Sequence, residues 1–196
     1  HYWEDGGATY HNRYSSCELF RGQEGDAWKG VVKEPEIPEY LPQTARAYAR
    51  QFFANLPYMQ GEENHSQTRT ADAGIEFIDT NHAEQDWFLH IECFDPHEPW
   101  FSLDEYKEHY TDDYDGPDQY WPKYGPHVEP GPLLRRLRNR NAALISQCDV
   151  TVGRVLDAMD RYDMWRDTML IVNTDHGFLL GEHDHWGKCW QLFYEE

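Results

Sequence analysis

Leu170-Ile-Val-Asn-Thr-Asp175-His176-Gly177-Phe-Leu-Leu-Gly181-Glu182-His183-Asp-His185-Trp186-Gly187-Lys188 is the stretch on which the reading of the chain turns. It opens on an apolar run, Met169 to Val172, of the kind that makes a buried strand. The run stops at Asn-Thr-Asp-His-Gly, a cluster of loop formers. Asp175 and His176 are therefore expected just past the carboxyl end of a strand, the edge where open α/β sheets bind ligands. A carboxylate beside an imidazole is half of a divalent-metal site. Twelve residues beyond His176, Lys188 adds a fixed positive charge suited to an anionic group. Three His, three acids and a Lys fall within 14 residues, punctuated by glycines that let backbone approach a ligand. A polar loop with solvated charges is the plain alternative, and the density of ligand-type side chains argues against it.

This stretch resembles the second metal-and-anion segment of the type I sulfatases, in the alkaline phosphatase superfamily. The resemblance implies that Asp175 and His176 are two ligands of an active-site calcium, or of another divalent metal, and that Lys188 binds sulfate. A second segment carries the same likeness. Trp87-Phe-Leu-His-Ile-Glu-Cys-Phe94 reads as a buried strand running into the turn Asp95-Pro-His97-Glu-Pro99-Trp100. Strand-then-Pro-His-x-Pro is similar to the sulfatase segment whose histidine contacts the ester oxygen, which implies His97 as the acid for the leaving group. His97 and Lys188 are thus the expected catalytic and substrate-binding residues.

Away from these segments the chain bounds the answer. With 196 residues it can bury one real core, and its aromatic content of 15% fits a globular chain rather than a disordered one. A formal net charge of −19 excludes the basic face that nucleic acid requires. No apolar run approaches the roughly 20 residues of a membrane span. Cys17, Cys93, Cys148 and Cys189 show no metal-ribbon spacing and read as free thiols. Cys17-Glu-Leu-Phe-Arg21 has the cysteine-to-arginine spacing of the sulfatase nucleophile motif but lacks its proline, and reads as a decoy. Tyr2, Trp3 and Phe20–Asp26 resemble a bacterial sulfatase segment without assignable chemistry. His1 matches the family's histidine after the nucleophile only in kind, and His183 and His185 receive no role.

Short strands are expected at Cys17–Arg21 and Trp28–Lys33, then a proline-rich connector over Glu34–Gln43. Helical spacing predicts Thr44–Leu56, with Ala45, Tyr48, Ala49, Phe52, Phe53 and Leu56 on one face, and Thr70–Asn81, with Ala71, Ile75, Phe77 and Ile78. Gln60–Thr68 reads as a surface loop. Ser102-Leu-Asp-Glu105 reads as a capping box opening a helix to about Tyr110. Asp112, Asp113, Asp115 and Asp118 read as a solvated loop rather than a calcium loop. Tyr120–Pro132 is expected to stay irregular. Leu133 to Met159 predicts the longest helix, bent near Gly153, with Arg135, Arg136, Arg138 and Arg140 on its wet face. It delivers the chain to the strand Thr168–Asn173, an α-to-β unit.

The fold the resemblance implies is α/β: an alkaline-phosphatase/sulfatase-like mixed sheet with helices on both faces, incomplete here. Residues 1–196 would be a partial catalytic domain lacking the upstream nucleophile segment and the C-terminal part. The implied activity is sulfate-ester hydrolysis, on a sugar sulfate, with formylglycine on the missing upstream segment. Alternatives are a phosphodiesterase or phosphonate monoester hydrolase of the same superfamily, or a non-catalytic metal- or anion-binding remnant.

Overall fold

The computed structural model describes residues 13–41 and 43–188, and the expectations for His1, Tyr2, Trp3 and Cys189 lie outside them. Two long helices form the frame. Helix α1 spans Gln43–Asn55 and runs into a 3-10 turn at Leu56–Tyr58, where Pro57 ends the α-helical ladder. Helix α2 spans Ser66–Asn81 and helix α4 spans Gly131–Arg161, with the single turn α3 at Asp104–Lys107 between them. Ala49 and Phe52 of α1 are buried, and Ala71 and Ile78 mark the inner face of α2, as helical spacing requires; the Tyr48 side chain is outside the description.

α4 runs unbroken through Gly153 for 31 residues. Leu137, Ala143, Leu144, Ala158 and Met159 are its buried apolar side chains, whereas Ile145 turns outward at 48% exposure. Arg135 and Arg138 do lie on a wet face, at 54% and 45% side-chain exposure, but they and the less exposed Arg136 and Arg140 all have partners. Arg136 clasps Asp112 at 2.8 Å, Arg140 holds Asp118 at 2.6 Å and Arg135 reaches Asp113 at 2.8 Å. Arg138 Nε donates to the Leu180 carbonyl at 2.6 Å. Asp112 and Asp118 are therefore tied to α4 by opposite charge, whereas Asp113 and Asp115 stay exposed, as a solvated loop requires.

Three apolar clusters fill the interior. One joins Ile78 of α2 to Ala158 and Met159 of α4, with Trp87, Leu89 and Leu170 against it. The second holds Trp100, Leu137, Leu144 and Trp186, with Phe178 and Leu180. The third gathers Phe52, Met59 and Phe101 under Trp28, Tyr120 and Trp121. Burying each large side chain stabilises the fold by about 1.5–3 kcal/mol.

Among the described residues the sheet is small and antiparallel. β1 (Gly125–Pro126), β2 (Leu179–Leu180) and β3 (His185–Gly187) take the order β1-β3-β2. Gly125 pairs with Trp186, and Leu180 pairs with Trp186 from the other side. Gly181 makes the β2-to-β3 turn at φ +100, where a Cβ would also lie 3.0 Å from Leu134 Cδ1.

Several expectations need correction. Residues 87–94, 168–174, 17–21 and 28–33 form neither helix nor strand. Inner positions of the first run do sink onto the helices: Ile91 lies where a Cβ on Gly74 would be 2.4 Å away, so only glycine admits it. Outer positions stay open, with Phe88 at 74% and Ile171 at 72% exposure. The surface loop expected over Gln60–Thr68 holds for the exposed residues Gln60–Asn64 and stops there, because Ser66, Gln67 and Thr68 begin α2 and are buried. The capping box does not form: Ser102 is 1% exposed and Leu103 caps α3 without a side-chain bond. Instead the Leu103 amide donates to Gln147 Oε1 of α4 at 3.1 Å.

Candidate active site

The turn after residues 87–94 is built around one histidine. Phe94 and Trp100 anchor its ends, Trp100 at 1% exposure in the second cluster. Both proline peptide bonds, Asp95–Pro96 and Glu98–Pro99, are cis. The His97 amide donates to the Phe94 carbonyl at 3.2 Å, and the Phe94 ring lies 4.4 Å from the imidazole, centre to centre.

Lys188 arrives from the far end of the chain. β3 buries Trp186, whose indole Nε1 donates to Glu129 Oε2 at 2.8 Å. At the end of β3 the chain turns at Gly187, φ +109, and Lys188 follows with its side chain 14% exposed. Its Nζ lies 2.5 Å from His97 Nε2. His97 Nδ1 lies 2.5 Å from the Glu98 carbonyl oxygen. A carbonyl only accepts and an ammonium only donates, so Nδ1 carries the hydrogen and Nε2 accepts from Lys188.

Glu98, which had no assigned role, lies beside both. Its residue exposure is 5%. Oε1 accepts from the Tyr124 hydroxyl and stands 3.8 Å from Lys188 Nζ. Oε2 is buried without a hydrogen-bond partner, 3.4 Å from His97 Nδ1. Tyr124 immediately precedes β1, whose pairing with β3 carries the hydroxyl towards Lys188. A second unassigned carboxylate, Glu24, faces the same group from the loop Arg21–Asp26. That loop is closed by the Arg21–Asp26 ion pair and by the Gly22 amide donating to Asp26 at 3.1 Å. Glu24 itself sits at φ +40. Burial, then the charge of Glu98, pushes its carboxyl up to about 7, against the pull of the Gly25 amide and Lys188. The one available signal for Glu98 was a carboxylate between a candidate acid and a proline; Glu24 offered none.

Asp175 and His176 form a separate pair at the end of residues 168–174. Asp175 Oδ1 accepts the His176 amide at 3.0 Å, and Oδ2 lies 3.5 Å from His176 Nε2. His176 Nδ1 donates to the Gly177 carbonyl at 2.8 Å, which leaves the Nε2 lone pair beside the carboxylate. The Asp175 side chain is 85% exposed. The pair fits as part of a donor set: calcium takes six to eight oxygen ligands, so two are too few. Among the described residues no group of three or more His, Cys, Asp or Glu converges to hold a metal. No hydrogen bond or ion pair among the described residues joins this pair to His97 or Lys188. Phe178 connects the two regions, its ring edge-on to Trp100 and Tyr124.

Cys17 is exposed, and Cys93 and Cys148 are free, part-buried thiols pushed up to about 11 and about 12 by burial and by Asp95. None of the described helices is long and apolar enough to cross a membrane.

The sulfatase family model matches residues 8–195. Human iduronate 2-sulfatase is 38% identical over 65 residues, 33% of this chain and 12% of its own length. Choline-sulfatase of Rhizobium meliloti is 40% identical over 55 residues, 28% of this chain and 11% of its own. The multifunctional alkaline phosphatase superfamily protein PehA of Trinickia caryophylli is 38% identical over 55 residues, with the same 28% and 11% coverage. The matched part thus spans little more than a tenth of each relative. No solved structure matches the chain.

Proposed function

This chain belongs to the sulfatase family, and from that premise we propose that residues 1–196 are part of the catalytic domain of a sulfate-ester hydrolase acting on a sugar sulfate. The observation that supports this best is the 2.5 Å contact between Lys188 Nζ and His97 Nε2. A cation and a proton carrier 91 residues apart in the chain meet where one anionic ester could engage both.

In this reading Lys188 holds the sulfate group. Its ammonium leaves His97 for a sulfate oxygen and screens the charge that develops as the S–O bond breaks. The imidazole is then free to carry a proton on Nε2 and to give it to the departing alcohol oxygen. The Nδ1 bond to the Glu98 carbonyl keeps the ring in the orientation that presents Nε2. Asp175 Oδ2 and His176 Nε2 are the side chains that would hold calcium or another divalent cation. Such a cation supplies positive charge to the ester oxygens and to the nucleophile. The remaining ligands and the formylglycine nucleophile that the family resemblance implies would come from outside this chain. The likeness to PehA, an alkaline phosphatase superfamily protein, fits the second reading, a phosphodiesterase or phosphonate monoester hydrolase of that superfamily, because the same lysine and metal pair suit either anion.

The test is Lys188→Ala in the complete enzyme. Loss of one preorganised cation costs on the order of a hundredfold or more in rate. Sulfate-ester turnover should fall by that factor while the unfolding midpoint holds. Near-normal turnover would return Lys188 to an ordinary wet loop, and higher activity of the parent on phosphate diesters than on sulfate esters would favour the second reading.

A further inference from the structure

We infer that Glu98 is a positioning residue for the His97–Lys188 pair: its buried carboxylate, fixed by Tyr124, lets imidazole and ammonium be cationic at the same time. The inference rests on the proposed roles of His97 as acid and Lys188 as anion holder.

The problem it addresses is electrostatic. His97 Nε2 and Lys188 Nζ are 2.5 Å apart. In the geometry described above the ring accepts from Lys188 and is neutral. To act as an acid it must gain a proton beside a cation in a largely dry site, where like charges repel more than in water. Glu98 stands where it can offset this. Oε2 is 3.4 Å from His97 Nδ1 and Oε1 is 3.8 Å from Lys188 Nζ. The carboxylate is 5% exposed, and Oε2 has no hydrogen-bond partner. A buried anion with an open acceptor is costly unless cations face it. The Tyr124 hydroxyl holds the other oxygen, so the carboxylate cannot swing away. The charged and titratable groups around it are His97, Lys188, Tyr124 and, from the Arg21–Asp26 loop, Glu24.

The experiment compares Glu98→Gln, Glu24→Gln, Tyr124→Phe and His97→Ala with the parent in the complete enzyme. Each is assayed on an alkyl sulfate and on nitrophenyl sulfate across pH, with inorganic sulfate as competing ligand. Glu98→Gln should lose about ten- to a hundredfold on the alkyl ester and only a few-fold on the aryl ester. The alkaline fall of its alkyl-ester rate should begin about one pH unit lower. Inorganic sulfate should bind it as tightly as the parent or more tightly, since a competing carboxylate charge is gone. Tyr124→Phe should move the same limb in the same direction by less, and serves alone if Glu98→Gln does not fold. Glu24→Gln should leave the limb in place. A limb that moves in Glu24→Gln but not in Glu98→Gln overturns the inference. So do equal losses on the two esters in Glu98→Gln together with weaker sulfate binding, the pattern of a collapsed site. Should His97→Ala lose equally on both esters, the acid role fails and this inference with it; a normal His97→Ala pattern with an unmoved limb in Glu98→Gln overturns the inference alone.

Discussion

His65 Nδ1 stands 3.8 Å from Asp95 Oδ2, inside the fold and two residues upstream of the catalytic candidate His97. Burial holds the imidazole down to about 4, with the Phe101 carbonyl pulling it back up, and burial holds the Asp95 carboxyl up to about 7. Between these values the folded pair carries one proton, on Asp95. The unfolded chain also carries one, on the imidazole, because the ordinary values are 6.5 and 3.8.

The two linkages therefore oppose each other. The lowered imidazole makes stability rise with pH from about 4 to 6.5, since only the unfolded state binds that proton. The raised carboxyl makes stability fall with pH from about 3.8 to 7, since only the folded state binds that one. Each runs at about 1.4 kcal/mol per pH unit. Their sum should leave the parent nearly flat from pH 4.5 to 6. Asp95→Asn should unmask a rise over that window and His65→Gln a fall. Urea midpoints measured from pH 4.5 to 6.5 decide it, and parallel curves for all three proteins would remove the pair from the account.

His97 as general acid predicts a dependence on the leaving group. A sugar alkoxide needs the proton that an acidic phenol barely needs. His97→Ala in the complete enzyme should cost about a hundred- to ten-thousandfold on an alkyl sulfate and much less on nitrophenyl sulfate. Single-turnover rates on both esters are the measurement; equal losses would reduce His97 to an anion contact.

Asp175 and His176 supply two donors where calcium takes six to eight. The chain alone should bind calcium weakly and the complete enzyme far more tightly. Titration calorimetry of the complete enzyme and its Asp175→Ala variant checks the assignment. An unchanged affinity in the variant would move the metal, if any, elsewhere.

Met169, Ile171 and Val172 are 83, 72 and 65% exposed, and Phe88 is 74% exposed on the other run. Open apolar edges seek partners. The 196-residue chain by itself should bind a hydrophobic dye and self-associate at micromolar concentration. Ile171→Lys with Val172→Lys should reduce both, as read by dye fluorescence and light scattering. A monodisperse chain that ignores the dye would show these edges to be closed in solution.

What could be read from the sequence was local. The helices followed from apolar residues every three or four positions, because one helix needs no partner to be recognised. Asp175, His176, His97 and Lys188 were singled out from their segments. Spacing along the chain carries no information about distance in space, so it was only the family resemblance, which put Lys188 and His97 on one ester, that anticipated their meeting across 91 residues. Strands failed for a related reason. The alternation of 87–94 reports half-burial against α2, but a strand exists only beside another, and no second run pairs with it among the described residues. Polar letters misled at Ser66–Thr68, which α2 buries, and at Ser102, where the helix start found Gln147 instead of its own cap.

Glu24 sits at φ +40, a backbone region that side chains other than glycine occupy at a cost of about 1–3 kcal/mol. Glycine at that position would relax the Arg21–Asp26 loop and remove the carboxyl facing Lys188. A screen for thermal tolerance should therefore favour Glu24→Gly, whereas Glu24→Gln, which keeps a side chain on the same backbone, should gain nothing.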